Sequence, residues 1–498
     1  MNEYLPFLSG LLKDTLSGIP YILPEIVLVL TFLAVIVADL FLQGKRSSAA
    51  FWLSIAGVLI SVFFSFKQAE AGINGRLLFF ENIQLDQVAV SFKFIFAFVV
   101  FLFALFIRYD KNLQSHTKGV GDLYMLLPAI VLGLNLMAMS TSLLMIYISI
   151  EMVSIGSYLM VGYTSAANKQ TEASMKYALF GSACSAIMLY GISLLYGFTG
   201  TINISDADFI AHLAEIPEPA TALAILLIMV GIGFKLSFVP LHFWSPDVYE
   251  GAPTPVTAFL STAPKIAGFA VLIRFLIPFY DQQAQTIKVF DFETTFAAVA
   301  IITMIVGNFA ALWQNNIKRM LAYSSIGHTG FALMAVVSNS DSGVKSLIFY
   351  FCIYAIMNMA AFMLAGTIER KSAATEVDDY KGLGSVLKAE MVCFVVILIS
   401  LTGLPPTAGF LAKLYVFSAA FEKYSTSGSI WMLALLITGA LTTVVSLFYY
   451  LKIPLNAYLR KAVNDYAIEN VKDPLKYVVA ILTFFVILFG IFPSLISW

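Results

Sequence analysis

The sequence predicts an all-α polytopic membrane protein of about fourteen transmembrane helices, built on an inverted repeat of helices four to eight and nine to thirteen. Three observations point there. Of the 498 residues, 60% are hydrophobic and only 12% charged, whereas a soluble domain carries roughly 25% charged residues. Apolar windows of roughly 20 residues, the length that crosses a bilayer core, recur from near Pro20 to Trp498 without a long polar linker. Helix-breaking Pro and Gly interrupt two of these windows that stand five helices apart.

The windows fall near 22–42, 50–67, 88–107, 122–140, 143–163, 173–198, 219–243, 255–278, 295–313, 318–337, 344–366, 390–421, 430–452 and 475–496. Gly133 to Tyr163 is too long for one span, so the small polar residues from Ser140 to Ser142 are read as a turn between two helices. The chain is therefore one integral membrane domain over 1–498. Its parts are three leading helices near 22–107, a first repeat near 122–278, a second near 295–452 and a last helix near 475–496.

Several function classes are excluded. The net charge of -1 and the lack of a Lys/Arg run argue against nucleic acid as a partner. Cys184, Cys352 and Cys393 lie inside apolar stretches without ligand spacing and read as inert packing residues. The sequence has neither a glycine-rich dinucleotide fingerprint nor a phosphate loop, so no nucleotide or iron–sulfur cluster is expected in this chain. The stretch Met1 to Ile19 lacks a basic start and contains Glu3 and Asp14, unlike a cleaved signal peptide.

Orientation follows from the connections. One set holds seventeen Lys and Arg, among them Lys45, Lys118 and Lys472, and the other only Lys13, Lys67, Arg76, Lys288, Lys345 and Lys423. The positive-inside rule then places both termini, and the acidic connection Asp206, Asp208, Glu215 and Glu218, outside the cytoplasm.

Six basic residues remain within the windows: Lys93, Lys176, Lys235, Lys265, Arg274 and Lys413. Lys93 and Arg274 lie near helix ends and are expected to snorkel to the headgroups. Lys235, Lys265 and Lys413 are too deep for that. Glu151, about eight residues into the fifth window, stands roughly 12 Å from its outer end at 1.5 Å per residue. A charge at the helix centre costs about 2.5–3.5 kcal/mol on insertion scales, so three lysines and a carboxylate need a reason. Glu151 could simply neutralise one lysine and fix packing, but that leaves the others unexplained; a proton path accounts for all of them. In that reading, approach or withdrawal of Glu151 loads and unloads Lys235. Lys176, four residues after Glu172, is read equally as an i,i+4 ion pair or as part of the relay. His328 reads as a proton relay or as a buried histidine satisfying a hydrogen bond.

Lys235 is followed by Pro240, and Lys413 is preceded by Gly403, Pro405, Pro406 and Gly409, so windows seven and twelve should be discontinuous. Broken backbone at membrane depth must be buried in protein or line a hydrated cavity, which is where transporter ion sites form. A packing kink is the alternative. The breaks in windows seven and twelve, and Glu151 and His328 in windows five and ten, are each five helices apart, and an odd offset reverses direction. Lys265 in window eight has no ionisable counterpart in window thirteen, whose polar interior is Thr438, Thr442, Thr443 and Ser446.

The run Gly233-Phe-Lys-Leu-Ser-Phe-Val-Pro-Leu-His-Phe-Trp-Ser-Pro-Asp-Val-Tyr-Glu-Gly-Ala-Pro-Thr-Pro255 resembles the signature of the subunit N family of bacterial NADH:quinone oxidoreductase, respiratory complex I. The resemblance extends through Asn316 to His328 and the break from Gly403 to Lys413. It implies a glutamate–lysine pair of Glu151 and Lys235, a central Lys265, an exit-side Lys413 and an additional lysine at Lys176. It also implies antiporter-like partners L and M, small membrane subunits and peripheral redox subunits that hold NADH, FMN, iron–sulfur clusters and quinone, with no cofactor in this chain. Subunit L would add a long lateral amphipathic helix and subunit M a glutamate at the position of Lys413; neither is seen. A subunit of a multi-subunit sodium/proton antiporter is the main alternative, and a structural scaffold the third. The expected location is the bacterial inner membrane.

Overall fold

The structure, a computed structural model, describes residues 5–41, 46–72, 75–116, 119–164, 168–280, 290–461 and 473–495. Lys45, Lys118, Lys288 and Lys472, counted above for orientation, and residues 496–498 lie outside the described residues.

The leading helices are α1 (Leu5–Gly18), α2 (Leu23–Phe41), α3 (Arg46–Glu70), α4 (Gln87–Tyr109) and the short α5 (Lys111–Gln114). The first repeat comprises α6 (Gly121–Met139), α7 (Leu143–Val161), α8 (Asn168–Thr199), the short α9 (Ala207–Glu215), α10 (Glu218–Leu236), α11 (Trp244–Gly251), α12 (Thr254–Leu260) and α13 (Ala263–Tyr280). The second comprises α14 (Phe292–Leu312), α15 (Ile317–Val337), α16 (Asp341–Ser372), the short α17 (Leu383–Val386), α18 (Lys388–Thr402), α19 (Ala408–Ser427) and α20 (Ile430–Leu459), and α21 (Leu475–Ile491) closes the fold.

Among the described residues, each of the fourteen apolar windows coincides with one or two helices. Twelve helical segments among the described residues are long and apolar enough to cross a membrane; the twelfth window is divided between α18 and α19, and α21 is a shorter apolar helix. Ends are set by local chemistry. Asp86, Asn316 and Ser340 cap α4, α15 and α16 by accepting from the amides of Ala89 (2.8 Å), Arg319 (3.1 Å) and Gly343 (3.1 Å). A hairpin of Arg76–Leu78 and Ile83–Leu85 was not anticipated; it packs Leu78, Ile83 and Leu85 against Val90 and Met139 between α3 and α4.

Both predicted breaks are present. α10 ends at Ser237, in the left-handed region at φ 57°, and the chain runs irregularly past Pro240 to α11. α18 ends at Gly403, φ 88°, and passes Pro405 and Pro406 to α19. The peptide bonds Val239–Pro240 and Pro405–Pro406 are cis. Gly409, expected within the second break, instead lies in the first turn of α19. A Cβ there would sit 1.8 Å from the Ser400 carbonyl oxygen, so this glycine lets α19 start directly against α18.

A third interruption was missed. The eighth window, read as one helix over 255–278, is broken at Ser261–Thr262 between α12 and α13, while its counterpart α20 runs unbroken for 30 residues. The repeat therefore holds for helix order and for the breaks at α10/α11 and α18/α19, not for every helix.

The centre of the fold is α15 with α12, α13 and α16, whose apolar windows are almost wholly buried; those of α2 and α20 are mostly not buried within this chain. With no hydrophobic drive between helices in lipid, close packing rests on small residues. Gly307 of α14 lies so near α15 that an added Cβ would stand 2.4 Å from the Gly327 nitrogen. Gly307→Val should cost about 1–3 kcal/mol by overpacking and lower the melting temperature of the detergent-solubilised protein; an unchanged melting curve would mean that α14 and α15 can part freely.

Candidate functional site

Lys235 occupies the last turn of α10 and is 3% exposed. Its ammonium donates to Ser154 Oγ of α7 at 3.0 Å. Glu151, one turn earlier on α7, accepts from Ser185 Oγ of α8 at 2.6 Å and does not pair directly with Lys235. Ser154 thus stands where a direct carboxylate contact would be. The residue after the lysine needs a small neighbour: a Cβ on Gly268 of α13 would lie 2.8 Å from Leu236 Cδ2, while Lys235 Cγ, at 3.7 Å, would be in ordinary contact.

Lys265 lies in the first turn of α13, just after the unanticipated break, and is also 3% exposed. It donates to Ser325 Oγ of α15 (2.8 Å), which is 2.8 Å from the Tyr354 hydroxyl of α16; Tyr354 in turn donates to the Ser261 carbonyl (3.1 Å). Asn358, one turn along α16, donates to Ser261 Oγ and Thr262 Oγ1, both at 2.7 Å. The break is therefore satisfied from α16. Burying a polar group without such partners would cost several kcal/mol, about 2–7 by reference state.

His328 Nδ1 is 2.6 Å from the Tyr350 hydroxyl, and its ring centroid is 5.2 Å from that of Tyr354. Lys413, 5% exposed in the second turn of α19, donates to the Thr402 carbonyl at 2.7 Å, and its Nζ is 4.5 Å from the Phe331 ring centroid. Ser325, His328 and Phe331 recur every third residue and so share one side of α15. The residues that meet Lys265 and Lys413 are thus about 9 Å apart along the helix axis.

Lys176 is not part of that row. It pairs with Glu172 (2.7 Å), as one of the two sequence readings had it, and also with Asp247 of α11 (2.7 Å), which accepts from Arg319 of α15 (2.7 Å). These residues line an open surface cleft of about 150 Å³ with Lys169 and Glu250.

Lys93 and Arg274 correct the snorkelling expectation. Both are buried. Lys93 pairs with Glu25 at 2.9 Å and also donates to Gln68 (3.2 Å), while Asn135 donates to the same Glu25 oxygen (3.1 Å). Arg274 grips Asp86 with two nitrogens at 2.6 and 2.7 Å, and gives its Nε to the Ala138 carbonyl. Proximity to a helix end measured depth, not surroundings. Sequence reading also passed over Ser154, Ser185, Ser325, Tyr350 and Tyr354. A signal was available for two of them, since Tyr350, Tyr354 and Asn358 recur every four residues as a polar stripe on an apolar helix.

The family described as NADH:quinone oxidoreductase/Mrp antiporter, TM, matches residues 140–442, from the start of α7 to the middle of α20. A NADH-quinone oxidoreductase subunit N 2 of Chloroherpeton thalassium is 41% identical over 98% of this chain and 94% of its own length. A NADH-quinone oxidoreductase subunit N of Chlorobium chlorochromatii is 39% identical over 92% of this chain and 88% of its own. The chain belongs to the subunit N family. Among solved structures, a chain of respiratory complex I from Thermus thermophilus superposes with a TM-score of 0.77 at 25% identity, over 95% of this chain and 98% of that one. The subunit N resemblance read from the signature at 233–255 thus holds along nearly the whole sequence.

The Lys93–Glu25 pair offers a direct test of burial against snorkelling. Lys93→Met strands a buried carboxylate, at a cost of about 3–5 kcal/mol, and should sharply lower thermal stability in detergent. Adding Glu25→Gln should restore most of it. A neutral single substitution would return Lys93 to the headgroup reading.

Proposed function

We propose that this chain is a proton-carrying membrane subunit of a bacterial NADH:quinone oxidoreductase, moving protons through Glu151, Lys235, Lys265, His328 and Lys413 while partner subunits do the redox chemistry. The observation that carries this is the row on α15: Ser325, His328 and Phe331 bring Lys265 and Lys413 into one buried line with Tyr350 and Tyr354. Each of these lysines faces a hydroxyl or a carbonyl. Neither kind of partner carries a full charge, so loss of the proton from such an ammonium parts no ion pair.

Entry belongs to the first repeat. Glu151 withdrawn to Ser185 leaves Lys235 on Ser154, and a rotamer change that brings the carboxylate across would favour the protonated amine. Lys265 then receives the proton between the halves, and Lys413 passes it toward the far face. The bound cofactors NADH, FMN, iron–sulfur clusters and quinone belong to the partners, with subunits L and M and the small membrane subunits as neighbours in the bilayer. The inner membrane, with both termini on the non-cytoplasmic side, is the proposed location. Relatives named subunit N along nearly the full length support this over a sodium/proton antiporter subunit.

The test is made in membranes that carry the whole complex. Lys235→Ala and Glu151→Ala should leave assembly largely intact and reduce NADH-driven quinone reduction and proton uptake by tenfold or more, corresponding to about 1.4 kcal/mol or above. Normal proton uptake in both would reject the pathway. Ser154→Ala should give a smaller loss, since Glu151 can still take over the amine; Lys176→Ala should be milder than Lys235→Ala, and activity as low as in Lys235→Ala would put Lys176 in the path itself.

A further inference from the structure

Helix α11 carries no lysine, yet both of its ends are tied to helices that do. Its first residue, Trp244, donates its indole Nε1 to the Phe234 carbonyl at 3.0 Å, the residue directly before Lys235. The same ring stacks on Phe234 (4.9 Å, 29°) and on Tyr177 of α8 (4.4 Å, 14°). One turn along α11, Asp247 accepts from Lys176 of α8 and Arg319 of α15, each at 2.7 Å. Glu250 accepts from Arg319 at 3.1 Å, and the carbonyl of Ala252, past the helix end, accepts from Lys318 at 3.2 Å. The cations at the start of α15 suit the C-terminal end of α11 through its dipole.

The two attachments differ in kind. The indole link is buried and shielded. The charge clamp is about one-third exposed at Lys176, Asp247 and Arg319, within reach of water and salt, and pairs of that kind rearrange at small cost. α11 is thus a short rigid arm between a soft charged clamp and the end of α10. A further tie, Thr329 Oγ1 to the Leu236 carbonyl at 3.1 Å, joins that end to α15, the helix whose Ser325 holds Lys265.

We infer that Asp247 is a positioning residue for Lys235: the clamp on Asp247 seats α11, and α11, through the Trp244 indole, sets where the last turn of α10 stands against Ser154 and Glu151. The inference rests on the proton-carrying role proposed for Lys235. A purely local surface pair would hold α8 to α15 and leave α10 untouched.

The experiment uses the intact complex in its membrane, with Asp247→Asn, Asp247→Glu, Trp244→Phe, the double variant Asp247→Asn/Trp244→Phe, and Lys235→Ala alongside. Hydrogen–deuterium exchange of the amides at 234–239 and NADH-driven proton uptake are measured together. Asp247→Asn and Trp244→Phe should each speed exchange at 234–239 by roughly tenfold, as local opening becomes easier, with the amides of α16 unchanged, and should lower proton uptake several-fold. The double variant should be no worse than Trp244→Phe, and Asp247→Glu should restore both readouts. Unchanged exchange in Asp247→Asn, or losses that multiply in the double variant, would overturn the inference. Arg319→Lys, which keeps the charge but loses the forked donor, should show the same exchange change in milder form, and decides the matter if Asp247→Asn does not assemble. Normal pumping by Lys235→Ala would instead sink the proton-carrying role, while the exchange at 234–239 would still report whether Asp247 seats α10.

Discussion

Hydrocarbon offers no hydrogen-bond partners, so every ammonium and every free carbonyl that this fold takes to membrane depth must be met by another part of the same chain. Lys235, Lys265 and Lys413 are each at least 95% buried, and each has one donor–acceptor contact of 3.0 Å or less. Two of the acceptors are serines on neighbouring helices, and the third is a backbone carbonyl. That requirement fixes the position of α15. It must pass close enough to α13 for Ser325 to reach Lys265, and close enough to α19 for Phe331 to lie under Lys413. The glycine contact between Gly307 and Gly327 lets α14 hold it there.

The breaks answer the same requirement from the backbone side. Ending a helix inside the membrane frees carbonyls, and four of them are met from outside their own helix. Trp244 takes Phe234, Thr329 takes Leu236, Lys413 takes Thr402, and Tyr354 takes Ser261. Thr329 and Tyr354 each reach across 93 residues and so bind the two repeats together, while Trp244 and Lys413 come from just beyond the break they serve. A continuous helix would have satisfied those carbonyls internally and given Lys413 no such anchorage.

Much of this was legible in the sequence, for reasons that also mark where it stops. Window length is a direct consequence of bilayer thickness, so the fourteen windows fall on helices, with ends that differ by up to seven residues, as at Leu459 of α20. Pro240 and the Gly403–Pro405–Pro406 run announce broken ladders. The break at Ser261–Thr262 has its own notice in Pro264, which offers no amide to the Leu260 carbonyl and so stands in the first turn of a new helix, though the expected single helix over 255–278 left it out of account. Gly409 was read as part of a break because glycine is a breaker in isolation; here the missing Cβ serves contact between α18 and α19. Lys93 and Arg274 were misread since depth can be counted along one helix, whereas a partner such as Asp86, 188 residues from Arg274, is brought in only by tertiary structure. The hydroxyl partners of the lysines share that difficulty, for a single serine in an apolar helix more often bonds its own backbone.

The two halves hold their lysines in different ways, and the difference bears on how a proton could move. In the second half Lys413 follows the break and is bonded to the very carbonyl that the break frees, so its seat is backbone. In the first half Lys235 precedes the break, and the Phe234 and Leu236 carbonyls on either side of it are taken by Trp244 and Thr329. Lys235 is left with a side-chain hydroxyl on the helix that also carries Glu151. A serine rotamer and a carboxylate rotamer can exchange without disturbing any helix end. In the proposed path, the partner of Lys235 would thus be free to change while that of Lys413 would stay. Helix order repeats between the halves, but Lys235 precedes its break and Lys413 follows its own, so the two are seated by different kinds of group, a side-chain hydroxyl and a backbone carbonyl.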